Sequence, residues 1–204
     1  MNKKFLKNHE ITYYKDDLNI IQYHNFNYKN YLNKDEGYEI DNNDDLSINL
    51  KKLAYIEILL NRNKISIRTP IMLCLFGFDI RNKQICLQFT NYKTDEVMNQ
   101  FFNFIQNIEY LNMMNIGLND DNSDLYITQV RNDRENKYDP YLCVKIPFRY
   151  NKYEIESKNK DGDNFSIMNL YKFTRVECDI YIDKIWKYNE KYICKWKLER
   201  LQLR

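Results

Sequence analysis

Apolar side chains recur at every second position over several short stretches of the chain. Leu46, Ile48 and Leu50 alternate with polar neighbours; residues 55–59, 64–68, 71–75 and 84–90 follow, separated by Asn61-Arg62-Asn63 and by Thr69-Pro70 among other polar breaks. Period-two alternation sends successive side chains to opposite faces of a pleated strand, so each stretch predicts a short strand. The pattern returns with Leu142, Val144 and Ile146, then Val176, Cys178, Ile180 and Ile182, then Tyr192, Cys194, Trp196 and Leu198. The last two runs are divided by Lys187-Tyr188-Asn189-Glu190, which suits a hairpin connection.

One stretch changes period. Thr94 can cap a helix, with Asp95 and Glu96 in its first turn, and Val97, Phe101, Phe104, Ile105, Ile108 and Leu111 then fall on one helical face. The helix is expected to close between Asn112 and Gly117, where asparagine or glycine can take the left-handed conformation. Residues 13–38, rich in tyrosine and asparagine, hold neither period for long, and residues 33–45 are acidic and loop-like around Gly37. The reading is therefore an irregular N-terminal arm over residues 1–45 and one mainly β domain over residues 46–204. The domain is an antiparallel sheet or small barrel with one inserted helix, not a series of βαβ units.

The chain of 204 residues, 44% apolar, is long enough to bury a core without disulfide staples. Its alphabet is biased toward Asn, Lys, Ile, Asp and Tyr, with Ala54 the single alanine, a usage that follows AT-rich coding and suggests a compact genome such as that of a large virus, a cytoplasmic plasmid or a parasite. Eighteen tyrosines against four glycines favour burial over disorder. The five cysteines, Cys74, Cys86, Cys143, Cys178 and Cys194, are odd in number and lack a CxxC spacing, so they read as reduced core thiols of an intracellular compartment. The first ten residues lack the apolar run of a signal peptide and no segment has the uncharged length of a membrane span, so a soluble protein of the host cytoplasm or nucleus is expected.

A formal net charge of +2 attracts no polyanion by itself, but the charge is regional. Residues 1–50 carry 6 basic and 9 acidic side chains, residues 51–100 carry 8 and 4, residues 101–140 carry 3 and 7, and residues 141–204 carry 14 and 9. Basic strand-rich blocks alternate with acidic ones.

Catalytic chemistry finds few footholds. The two histidines, His9 and His24, lie in the arm away from any serine or cysteine nucleophile. Gly37, Gly77, Gly117 and Gly162 are too isolated to form a phosphate-cradling loop. Asp120, Asn122 and Asp124 imitate the start of a calcium loop, but Leu125 stands where the turn needs glycine and Arg131 where a bidentate acid is needed. Turn chemistry accounts for Asp161-Gly162-Asp163-Asn164, and no acidic cluster suits a two-metal site. A non-enzymatic protein with no cofactor or metal is expected.

Aromatic and basic residues, by contrast, are interleaved on the predicted strands: Phe148-Arg149-Tyr150-Asn151-Lys152-Tyr153, Lys184-Ile185-Trp186-Lys187-Tyr188 and Lys191 to Lys197. Arg62, Lys64 and Arg68 line the earlier basic block. Single-stranded nucleic acid is held by this pairing, rings stacking on bases at about 1–3 kcal/mol each while cations neutralise phosphates. A tyrosine-rich chain also produces such mixtures by composition alone. Trp196 is in phase with Cys194 and Leu198 and belongs to the core face, which leaves Lys195 and Lys197 on the opposite face.

Four segments in order carry a family resemblance: Ile67-Arg68-Thr69-Pro70-Ile71-Met72 with Phe76-Gly77-Phe78; the helix after Thr94; Pro140-Tyr141-Leu142-Cys143-Val144-Lys145-Ile146; and Ile185-Trp186 with Lys195-Trp196-Lys197-Leu198. Over residues 46–203 this order resembles phage-type single-stranded DNA-binding proteins of large DNA viruses, which have an OB-fold core. The sequence departs from that pattern at Leu75, where a proline is expected, at Tyr192-Ile193, where a small residue is common, and in its basic C-terminal segment, where such proteins carry an acidic tail that recruits replication partners. The resemblance implies an OB-like five-stranded antiparallel barrel with additional strands, which binds single-stranded DNA without sequence preference, protects it during replication or recombination, and has replication proteins and its own copies as possible partners. Arg62, Lys64, Arg68, Arg149, Lys152, Lys195 and Lys197 are the expected phosphate contacts, and Phe148, Tyr150, Tyr153 and Trp186 the expected stacking residues. The alternative is a viral structural or assembly protein whose tyrosines serve protein contacts.

Overall fold

The computed structural model describes residues 21–23, 27–30, 52–60, 64–133, 135, 137–188 and 190–204. The strand expected at Leu46, Ile48 and Leu50, most of the arm, both histidines and Arg62 lie outside the described residues.

The barrel is built from five strands of alternating burial. Its first strand is broken into β4 (Ile65–Arg68) and β5 (Met72–Cys74); β6 (Gln84–Gln88), β9 (Tyr141–Lys145), β13 (Thr174–Ile182) and β16 (Trp196–Leu203) complete it. β5 pairs β6, β6 pairs β9, β9 pairs β16 in parallel, β16 pairs β13, and β13 returns to both β4 and β5. Numbered along the barrel, the order is 1-2-3-5-4-1 with strands 3 and 5 parallel. Among the described residues the molecule is thus mainly β, with an OB-like closed five-stranded barrel, additional strands and one α-helix.

The break in the first strand has a local cause. Pro70 has no N–H for the ladder, and the preceding Thr69 compensates: its N–H donates to the Cys178 carbonyl at 2.8 Å and its buried hydroxyl accepts the Cys178 N–H at 3.0 Å. Ile65, Ile67, Met72, Ile85, Leu87, Leu142, Val144, Val176, Cys178, Ile180, Trp196, Leu198 and Leu201 fill the interior. Each large apolar side chain so buried contributes about 1.5–3 kcal/mol.

The helix α1 (Glu96–Asn115) is inserted between β6 and β9. Its cap is Asp95, whose carboxylate accepts the Met98 N–H at 3.0 Å, so Thr94 stands one residue outside the expected position. Val97 is 49% exposed and Met98 takes its place in the core, because the buried stripe runs through Met98, Phe101, Phe104, Ile105, Ile108 and Asn112. The rings of Phe101 and Phe102 close on Phe89 just beyond β6, at 5.8 and 5.0 Å between centroids. Gly117, at φ +79°, ends the helix: its N–H donates to Met114 and that of Leu118 to Met113, the paired bonds of a Schellman closure. Buried Glu109 then ties the helix to the chain after it, accepting the Gln129 N–H at 2.6 Å and the Thr128 hydroxyl. Burial pushes its carboxyl above the usual range.

A second sheet stands beside the barrel. β14 (Lys184–Tyr188) and β15 (Lys191–Cys194) form the expected hairpin, which links barrel strands β13 and β16. β14 also pairs β3 (Lys52–Leu60), and β15 pairs β7 (Tyr126–Ile127) in parallel. Two pieces of the arm, β1 (Ile21–Tyr23) and β2 (Asn27–Asn30), are strands along β3. Sequence periodicity did not show them, since each is too short to display a period. β8 (Val130–Arg131) flanks β9, β10 (Phe148–Arg149) and β11 (Lys152–Tyr153) form a small hairpin, and β12 (Glu156–Lys158) flanks β16. Among the described residues no helix is long and apolar enough to cross a membrane.

Candidate functional site

Alternation along β9 divides its residues: Leu142 and Val144 enter the core, so Tyr141, Cys143 and Lys145 face outward. Opposite them on β6, Gln88, Cys86 and Gln84 share that face. Tyr141, Cys143, Lys145, Cys86 and Gln84 floor a groove of about 700 Å³ whose walls include Phe76, Asp79 and Asn82 from the β5–β6 loop, Gln129 and Arg131 from the β8 side, Ile193 of the strand Lys191–Cys194 and Lys195 just beyond it.

Cations crowd one end of this groove. Burial, then the nearby Lys195 and Lys83, lower the affinity of the Lys145 amine for its proton; burial and Lys197 do the same to Lys195. Among the described residues none of Lys83, Lys145 and Lys195 has a carboxylate within ion-pair distance. Lys145 donates to the Asn82 carbonyl, and Lys83 sits 4.2 Å over the Phe148 ring. Among the described residues that line the groove the one acid is Asp79, and hydrogen bonds from Asn82 and from the Arg81 backbone, then the Lys145 charge, hold its carboxyl below the usual carboxylate range. Phe76, 63% exposed, meets Tyr141 edge-on at 6.1 Å, which adds ring surface to the cationic floor.

The row of outward residues continues around the barrel. Gln84 pairs Lys145, Lys145 pairs Lys197, Lys197 pairs Tyr181 and Tyr181 pairs Ser66. Lys64 lies 4.6 Å over the Tyr181 ring, and both Arg149 and Glu154 act on that phenol, whose proton is held up to about 12 chiefly by burial. Of the residues expected from sequence, Lys195 and Lys197 therefore stand together, with Lys64 and Arg149 reached through Tyr181. Lys197 is held by Asp183 at 2.7 Å and Arg149 by Glu154 at 3.6 Å. Phe148 and Tyr153 pack ring on ring at 4.8 Å beside Lys83, and Tyr153 also meets Phe78 at 5.1 Å.

Lys152 is exposed on the same small hairpin, which turns through Tyr150 and Asn151 at φ +49° and +59°. Two left-handed residues give the twist a two-residue hairpin needs, but a tyrosine there is costly. Its ring is 93% exposed. Trp186 lies on the second sheet in a cross-strand row running from Ile193 of the groove wall through Trp186 to Tyr55. Tyr55 and Trp186 are 5.2 Å apart and Lys184 lies 4.2 Å over Tyr55.

Arg68 is arranged differently. Its guanidinium donates twice to Asp179, at 2.7 and 3.0 Å, with Arg200 at 3.9 Å from the same carboxylate. Asp179 is 2% exposed, and this ion pair buttresses β4 against β13.

Phe76, Lys83, Arg131, Tyr141 and Lys145 were not named as contact residues from the sequence, although Phe76, Tyr141 and Lys145 lie in segments that carry the family resemblance. The signal was present for two of them, because the alternation that marks Leu142, Val144 and Ile146 as core marks Tyr141 and Lys145 as outward. Among the described residues no group of three or more His, Cys, Asp or Glu side chains is placed to hold a metal ion.

No family model matches the chain, and no curated protein sequence matches it. Among solved structures, it is similar to the single-stranded DNA-binding protein from bacteriophage Enc34 with its C-terminus truncated, at TM-score 0.48 and 11% identity, over 72% of this chain and 87% of that one. The untruncated protein gives 0.47 and 11%, over 72% and 84%, and its complex with single-stranded DNA gives 0.47 and 10%, over 72% and 89%.

Proposed function

We propose that this chain binds single-stranded nucleic acid, DNA by preference, along the groove over β6 and β9, without sequence specificity and without chemistry. The observation that carries the reading is the cluster of Lys83, Lys145 and Lys195, crowded and, among the described residues, without a carboxylate at ion-pair distance, at a groove that Tyr141 and Phe76 also line. Crowded like charges cost folding energy, and a bound polyanion offsets that cost. The face between barrel strands 2 and 3, with the loops joining strands 1–2 and 4–5, is where OB barrels take up oligonucleotides. Here those elements are β6, β9, the Phe76 to Lys83 loop and the β14–β15 hairpin.

The strand's phosphates run past Lys195, Lys145 and Lys83, with Arg131 on the facing wall and Lys197, Arg149 and Lys152 farther along. Bases meet Phe76 and Tyr141 in the groove, Phe148 and the exposed Tyr150 at one exit, and the Trp186–Tyr55 row at the other. Arg68 braces β4 against β13 through Asp179 and makes no direct contact in this reading. Protection of exposed strands during replication or recombination is the corresponding role.

Fluorescence anisotropy with labelled oligo(dT), a mixed-sequence single strand and a duplex of equal length tests the reading. Single strands should bind alike and more tightly than the duplex, with affinity falling as salt rises. Equal binding of all three, or none at low ionic strength, would overturn it.

A further inference from the structure

The groove floor also holds a pair of thiols. Cys86 and Cys143 stand directly opposite each other on β6 and β9, and both line the groove. The Cys86 carbonyl accepts from Leu75 on one side, and the Cys143 N–H donates to Gln129 on the other. The backbone groups of both residues thus point away from their shared ladder, which makes them a non-hydrogen-bonded pair. In such pairs opposed Cα atoms approach to about 4.5 Å and their side chains come closest, inside the roughly 4.4–6.8 Å that a disulfide spans.

The two thiols are unequal. Cys143 is half-buried, with Arg131 beside it; Cys86 is 6% exposed. The adjacent Cys86, with further help from Arg131, lowers the affinity of the Cys143 thiol for its proton, while the Cys143 neighbour and burial push Cys86 up. Cys143 is therefore the nucleophile and Cys86 the resolving thiol. All five thiols are free, and Cys74, Cys86, Cys178 and Cys194 are buried, so the expectation of reduced core thiols differs only at Cys143, which is half-buried. Alternation turns Cys86 and Cys143 alike toward the groove face of the sheet, where Cys86 is covered and Cys143 partly open.

We propose that Cys86 and Cys143 form a reversible two-electron redox site, closed by a low-molecular-weight disulfide such as oxidised glutathione. The Cys143 thiolate attacks one sulfur of that disulfide, forming a mixed disulfide and releasing one glutathione thiolate. Cys86 gives its proton to solvent and attacks the Cys143 sulfur, which displaces the second glutathione thiolate. Two protein thiols are oxidised and one glutathione disulfide is reduced. The chemistry is independent of what the groove binds.

The full reduced chain is incubated with oxidised glutathione and followed by intact mass and non-reducing peptide mapping. The wild type should lose two hydrogens, with the Cys86 and Cys143 peptides joined and both thiols regained with dithiothreitol. C86S should stop as a glutathione adduct on Cys143, and C143S should remain unmodified. A wild type that stays fully reduced while a control dithiol peptide is oxidised, a link to another cysteine, or an adduct on Cys86 in C143S would overturn the proposal. The wild-type map decides the outcome even if a serine variant folds poorly.

Discussion

Neutralising Lys145 and Lys195 together tests the groove most directly. Each phosphate contact to single-stranded DNA contributes about 0.7 to the slope of log affinity against log salt, so K145Q/K195Q should flatten that slope by about 1.4. Between 50 and 200 mM salt the wild type should then lose about sevenfold more affinity than the variant. Gln keeps much of each side chain's length while removing its charge, and neither lysine has a carboxylate partner among the described residues to be orphaned. Both amines are disfavoured by burial and by their cationic neighbours, so the variant should melt no lower than the wild type, which separates a binding defect from a folding defect. Oligo(dT) titrations at four or five salt concentrations give the slopes directly. A variant that binds with the wild-type slope would refute the assignment, because the phosphates would then be neutralised elsewhere.

Raising pH at constant ionic strength should weaken oligo(dT) binding before ordinary lysines titrate. The folded-state affinities of Lys145 and Lys195 for protons lie below the usual 10.5, so these charges are lost first; K145Q/K195Q should flatten the part of the profile that lies below the ordinary lysine range. D179A should destabilise the fold by about 2–4 kcal/mol in urea unfolding, less than a fully buried pair would cost because Arg68 is about one-third exposed. Gly77 stands at φ +69°, and a β-carbon there would lie 2.4 Å from the Leu170 carbonyl oxygen. G77A should displace the Phe76 loop, lowering both thermal stability and oligo(dT) affinity, whereas F76A should lower affinity by about 1–3 kcal/mol with little change in melting.

Strands and helix were legible because their signals are local. β6, β9, β13 and the β14–β15 hairpin follow alternating runs only a few residues long, and α1 follows a stripe of phenylalanines and isoleucines. The closure of the barrel was not legible from periodicity, since it joins Trp196 to Val144 and Arg68 to Asp179 across long intervals of chain. For the same reason a basic residue could be recognised but not its state: Arg68 reads as a free cation until Asp179 is placed beside it. Lys145 shows the opposite case, an unremarkable residue in a core strand that gains its electrostatic setting from Lys83 and Lys195, each more than forty residues away. The stripe boundary at Val97 and Met98 was misplaced because either residue continues an apolar face, and only docking against the sheet chooses between them.

The β9–β16 pairing consists of two registered pairs, Trp196 with Val144 and Lys197 with Lys145. The interior pair is apolar, while the exterior pair sets two lysines opposite each other at the place where the cylinder is stitched shut, Lys197 held by Asp183 and Lys145 by the Asn82 carbonyl. On the proposed function a polyanion lying there acts as a cross-brace, so loading and mechanical closure reinforce one another. On that reading the empty protein is the form in which this stitch opens most readily.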